Sequence, residues 1–138
     1  MRAHYILETC LYGTDLQSME KFYKEVLGLQ LVSKSEGRHV FFRCGNSMVL
    51  LFNPEETQRA DQDVPPHGYT GKGHLAFGVP LKELAQWVEH LERNHVSIEA
   101  RVEWPSGGSS LYFRDPAGNS VEITTPQIWG ISEKVLSG

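Results

Sequence analysis

The stretch Tyr112-Phe113-Arg114-Asp115-Pro116-Ala117-Gly118-Asn119-Ser120-Val121-Glu122 decides how this chain is read. Turn formers crowd its middle, so it predicts two strand-like segments, near 109–114 and 120–124, joined by a turn. Its last five residues, Gly118-Asn119-Ser120-Val121-Glu122, align with Gly45-Asn46-Ser47-Met48-Val49 through a shared Gly-Asn-Ser. So short a match could arise by chance. Lying at the same point of two similar runs of elements, the match supports an internal duplication that aligns Val49 with Glu122.

Outward from these strings the two runs take shape. Residues 4–12 are rich in β-branched and aromatic side chains and predict a first strand. Thr14 or Asp15 can cap a helix on which Leu16, Met19, Phe22, Tyr23 and Val26 fall at helical spacing, with Gly28 as its C′ stop. Strands at about 29–34, 38–44 and 47–53 follow, separated by Glu36-Gly37 and Gly45-Asn46 turns. Residues 54–71 carry three Pro and two Gly and read as a linker or surface loop. The second run repeats the order: a strand at 74–79, a helix carrying Leu81, Leu84, Trp87, Val88 and Leu91, then strands near 97–104, 109–114 and 120–124. The expected fold is α+β: two tandem βαβββ modules whose curved mixed sheets pair to form a cavity. Module one covers about 4–53, the linker 54–72, module two 73–125 and a C-terminal tail 126–138.

The bulk properties set limits. At 138 residues, 40% hydrophobic and 22% charged, the chain is one soluble domain's worth of sequence. A net charge of -4 argues against nucleic acid or an anionic membrane as partner. No apolar run approaches the ~20 residues a bilayer requires, and Met1-Arg2-Ala3-His4 leads straight into a strand. Cys10 and Cys44 lack metal-type spacing and read as reduced thiols, which makes the cytoplasm the expected compartment.

Three residues carry the chemistry. Alternation puts Glu8 on a face with Ile6, Cys10 and Tyr12, and a carboxylate in mid-strand is costly to bury unless something neutralises it. His74 opens the equivalent strand of the second run, and Glu122 sits in the last strand between outward-turned Val121 and Ile123. Two carboxylates and a neutral imidazole supply a charge of -2, matching a divalent cation and leaving positions open for water or substrate. Taken singly, a strand Glu belongs on a solvated face and a lone His in an ordinary hydrogen bond. Core packing accounts for Met19, Phe22, Tyr23 and Trp87, while His67, His90 and His95 read as surface. Trp104-Pro105-Ser106-Gly107-Gly108 is either a hairpin connection or a lid.

The run Asp15-Leu16, Phe22-Tyr23, Val26-Leu27-Gly28-Leu29 resembles the first-module signature of the vicinal oxygen chelate superfamily, which groups glyoxalases, bleomycin resistance proteins and extradiol dioxygenases. Gly73-His74-Leu75-Ala76-Phe77 resembles the start of its second module, and Tyr112 to Glu122 its terminal hairpin. The resemblance implies Glu8, His74 and Glu122 as ligands of one divalent metal ion (Zn, Mn, Ni, Fe or Mg). It makes Glu8 and Glu122 the catalytic groups and Tyr112 substrate-binding; Cys10, two residues beyond Glu8, faces the same cavity by alternation and reads as a substrate-side lining residue rather than a reactive thiol. A fourth, glyoxalase-type ligand falls on Val49 and is missing. The implied chemistry is a glyoxalase-like lyase or isomerase, or a thiol transferase, acting on a small molecule that chelates the metal through vicinal oxygens. A ring-cleaving dioxygenase and a metal-free drug-sequestering protein are the alternatives. Tyr112 occupies a place that contacts phosphonate in fosfomycin thiol transferases, but the region 127–131 lacks the expected Lys or Arg. A homodimer is expected, with ligands drawn from both subunits as one arrangement.

Overall fold

The structure is a computed structural model and describes residues 1–136. It divides into two compact units, Met1–Gly71 and Lys72–Gly138. No described helix is long and apolar enough to cross a membrane.

Unit one runs β1 (Glu8–Tyr12), α1 (Leu16–Glu25), β2 (Gln30–Ser35), β3 (His39–Cys44), β4 (Ser47–Phe52) and the short α2 (Pro54–Thr57). Its sheet has the order β1-β4-β3-β2, with β1 parallel to β4 and the other pairs antiparallel. Unit two repeats the plan with β5 (His74–Gly78), α3 (Leu84–Arg93), β6 (Ala100–Glu103), β7 (Ser109–Arg114) and β8 (Ser120–Thr124), in the order β5-β8-β7-β6. Two tandem βαβββ units are thus the observed architecture.

In unit one the two sheet faces divide by residue parity. Leu11, Val40, Phe42, Val49 and Leu51 are almost fully buried, as are Met19 and Tyr23 of α1. The Tyr23 and Phe42 rings lie 6.4 Å apart, which identifies this as the helix-covered face. Burying each such side chain contributes roughly 1.5–3 kcal/mol. The opposite face carries Tyr12, Leu50 and Phe52, with Cys10, Phe41, Met48 and Tyr69 packed against them. Asp15 caps α1 by accepting from the Ser18 amide at 3.1 Å. Val26 is the C-cap of the helix, so Gly28, at φ +67, stands one position beyond its expected C′ place.

Several expectations need correction. β1 starts at Glu8, since Tyr5, Ile6 and Leu7 are exposed and lie outside the strand although their apolar character reads as strand. Glu8 itself is exposed, not buried among apolar neighbours. β6 is shorter than expected, and a 3-10 turn, Leu81–Glu83, precedes α3. The tail contains two further 3-10 turns, Pro126–Trp129 and Glu133–Leu136; Ser137 and Gly138 lie outside the described residues. The stretch 54–71 folds back on unit one. Thr57 is fully buried, the Tyr12 hydroxyl meets His67 Nδ1 at 2.5 Å, and Tyr69 sits edge-on to Tyr12 with centroids 4.6 Å apart. His67 is therefore a packed residue and not a solvated one.

The most consequential correction concerns Val49. Glu8 pairs with Met48 and His74 pairs with Ser120, so the counterpart of Ser120 is Met48 and the counterpart of Glu122 is Leu50. The shared Gly-Asn-Ser string is out of phase by one residue. Its two copies end different turns: Cys44 and Ser47 flank a two-residue turn, whereas Arg114 and Ser120 flank five residues. Because side chains alternate, that single step carries Val49 to the helix-covered face.

Candidate metal centre

The terminal hairpin of unit two is held by a buried polar knot. Asp115 Oδ1 accepts from the amides of Ala117 and Asn119, and Asp115 Oδ2 from the Asn119 side chain at 2.9 Å. Asn119 Oδ1 in turn accepts the Gly73 amide at 2.7 Å. Gly118, at φ +86, takes the left-handed conformation that closes the turn. The knot thereby ties the residue before His74 to the strand that carries Glu122. Asn119→Ala is expected to cost about 1–3 kcal/mol of unfolding free energy, since it removes the partner of the half-buried Gly73 amide and of the buried Asp115 carboxylate. Urea denaturation checks this; a loss within error of zero would show the knot to be dispensable.

Glu122 is only 6% exposed, and its two oxygens have different partners. Oε1 lies 3.2 Å from His74 Nε2. Oε2 accepts the Ser110 hydroxyl at 2.6 Å. With its one proton committed, Ser110 Oγ serves as acceptor for Trp104 Nε1 at 2.9 Å and for the Thr124 hydroxyl at 2.7 Å. His74 Nδ1 is 3.0 Å from the Ser120 carbonyl. A carbonyl only accepts, so Nδ1 carries the hydrogen, and Nε2 is the ring atom that faces Glu122. A ring nitrogen fixed by a carbonyl on its far side is the usual outer support of a metal-binding imidazole. Tyr112 stacks near the His74 ring, centroids 6.3 Å apart at 23°. Burial, then the Glu122 charge, raise its phenol above the ordinary tyrosine value, so Tyr112 is a neutral hydrogen-bonding group here.

Of the sequence candidates, His74, Glu122 and Tyr112 come together on one face of unit two. Glu8 and Cys10 share a face of unit one. Among the described residues, no three His, Cys, Asp or Glu side chains converge as a metal-holding group. Cys10 is half-buried, and desolvation, then the Glu8 charge, push its thiol above the ordinary value, partly offset by a hydrogen bond with Tyr12. Burial raises Cys44 as well. Both thiols are expected to react with a disulfide reagent at pH 8 more slowly than free cysteine, because less thiolate is present. Reaction of either at the free-thiol rate would contradict this environment.

Sequence reasoning missed Ser110, Thr124 and Trp104, which orient Glu122. The signal was available: Ser110, Tyr112, Glu122 and Thr124 alternate onto a common face of two paired strands.

The family description "Glyoxalase/Bleomycin resistance protein/Dioxygenase superfamily" matches residues 3–123. The chain belongs to this superfamily. Other members resemble it along most of its length. A metallothiol transferase FosB from Staphylococcus epidermidis is 31% identical over 84% of this chain and 78% of its own length. A glutathione transferase FosA from Serratia marcescens is 34% identical over 80% of this chain and 72% of its own length. The crystal structure of a lactoylglutathione lyase from Agrobacterium tumefaciens superposes with a TM-score of 0.91 and 43% identity, covering 95% of this chain and all of the other. These superfamily members bear the names of transferases and a lyase, so the comparisons support an enzyme without selecting one reaction.

Proposed function

We propose that the chain is a metal-dependent enzyme, with Glu8, His74 and Glu122 holding one divalent ion that takes the vicinal oxygens of a small-molecule substrate. The observation that carries this reading is the pairing of His74 Nε2 with Glu122 Oε1, each group braced from outside, at the Ser120 carbonyl and the Ser110 hydroxyl. Oriented imidazole and carboxylate donors fit Zn, Mn, Ni, Fe or Mg. Such an ion supplies Lewis acidity that stabilises negative charge developing on the chelated oxygens. Glu122 and Glu8 are the groups able to hold a proton beside the substrate, and Tyr112 donates a hydrogen bond at the same face. Leu50, an apolar residue, stands where Glu122 has its counterpart, which leaves three protein ligands and open positions for substrate. A lyase, isomerase or thiol transferase accords with the resemblance to FosB, FosA and the lactoylglutathione lyase. The two free cysteines accord with a reducing, cytoplasmic setting.

The proposed assembly is a homodimer in which Glu8 of one copy completes the centre built on His74 and Glu122 of the other. A mixing experiment tests it. Glu8→Ala and Glu122→Ala should each bind no metal alone. After denaturation and refolding together they should recover about a quarter of the wild-type metal, because half the dimers are mixed and each holds one intact centre. A mixture that binds no more than its components would place all three ligands on one chain.

A further inference from the structure

We propose that Arg43 is the carboxylate-recognition residue of the centre that contains Glu8, so that the substrate carries a carboxylate separate from its vicinal oxygens. The inference rests on Glu8 being a metal ligand. Glu8, Met48 and Arg43 form one row across β1, β4 and β3, since Glu8 pairs with Met48 and Met48 with Arg43. Paired residues share a sheet face, and two strand spacings put Glu8 and Arg43 about 10 Å apart at Cα. The two side chains can therefore reach opposite ends of one small molecule lying over Met48.

The internal duplication supplies a control. In unit two the same row reads His74, Ser120, Arg114. Arg114 is neutralised by a two-pronged contact with Glu99 at 3.1 and 3.3 Å, and it also donates to the Gly118 carbonyl. Arg43 has no such partner. The residue paired with it on β2 is Gln30, and it forms no hydrogen bond or ion pair among the described residues. Of two arginines at matching places, one is neutralised and the other is left as an exposed free cation on the Glu8 face.

Charge arithmetic shows what that cation is for. Two carboxylates and a neutral imidazole cancel a divalent ion, so the centre carries no net charge that would draw a carboxylate held away from the metal. Arg43 supplies it. One guanidinium matches the single charge and two oxygens of a carboxylate. A phosphate dianion would call for a second free cation, whereas Arg38, farther along this face, is engaged by His39 and Gln62 and lies over the Phe52 ring.

The test compares 3,4-dihydroxybenzoate with 3,4-dihydroxybenzamide, which share vicinal hydroxyls and size and differ by one charge. Both are titrated calorimetrically into metal-loaded wild type, Arg43→Gln and Arg43→Lys. The wild type should prefer the benzoate about tenfold. Arg43→Gln should abolish that preference while leaving benzamide affinity and dimer mass unchanged, and Arg43→Lys should keep part of it. The proposal is overturned if neither compound binds, if the wild type shows no preference, or if Arg43→Gln retains it. It is equally overturned if Arg43→Gln weakens both compounds alike or dissociates the dimer. Glu122→Gln separates the two readings. If it leaves both affinities intact, the metal centre is wrong, while the charge preference still reports on Arg43.

Discussion

Glu122→Gln is expected to lower metal affinity at least about a hundredfold, because even outer-sphere changes around a metal cost 10–100-fold and this one removes an anionic ligand. The fold should survive. Glutamine has the same shape, and its carbonyl oxygen can still accept the Ser110 hydroxyl that now holds Oε2 at 2.6 Å. Ser110→Ala should produce a smaller loss, within that 10–100-fold range, since the carboxylate then remains but is free to rotate. Elemental analysis of dialysed protein and competition with a chelator measure both. If Glu122→Gln kept one metal per chain at wild-type affinity, the centre would lie elsewhere.

A second large effect comes from the register of β4. Val49 is 3% exposed on the face covered by α1, so Val49→Glu forces a carboxylate into an apolar layer with no partner. The expected loss is about 4 kcal/mol or more, enough to unfold many domains, and zinc should stabilise this variant no more than it stabilises the wild type. Leu50→Glu places its carboxylate on the Glu8 and Cys10 face, where Glu122 has its counterpart. It too should weaken the metal-free protein, but as a fourth ligand it should raise the zinc-induced stabilisation above that of the wild type. At a hundred times its dissociation constant a ligand stabilises by about 2.7 kcal/mol. Thermal melts of the wild type and both variants with and without zinc decide the matter. A zinc response above wild type in Val49→Glu and not in Leu50→Glu would reverse the register.

That pair of substitutions also marks where the sequence stopped being readable. Element order, the Asp15 cap and the strands of the terminal hairpin follow from local preferences and alternation, which short windows express. The phase of the duplication does not. It depends on how many residues each hairpin turn consumes, two at Gly45-Asn46 and five at 115–119, and the shared string disguises the difference. The start of β1 was obscured because Tyr5, Ile6 and Leu7 are apolar yet exposed. Within the site, His74, Glu122 and Tyr112 were legible through resemblance. The support of Glu122 was not, because Trp104 reaches it through Ser110, and a contact relayed by one hydroxyl leaves no spacing rule in the chain.

The two sister sheets have parted company in temperament. At matched rows, Phe41, Leu50 and Phe52 of the first stand against Tyr112, Glu122 and Thr124 of the second. One sheet face is wet and hydrogen-bonded, and its counterpart is oily. Substitution of Phe41 or Phe52 therefore alters the apolar face of the first sheet without disturbing a single bond in the Ser110, Glu122 and His74 network.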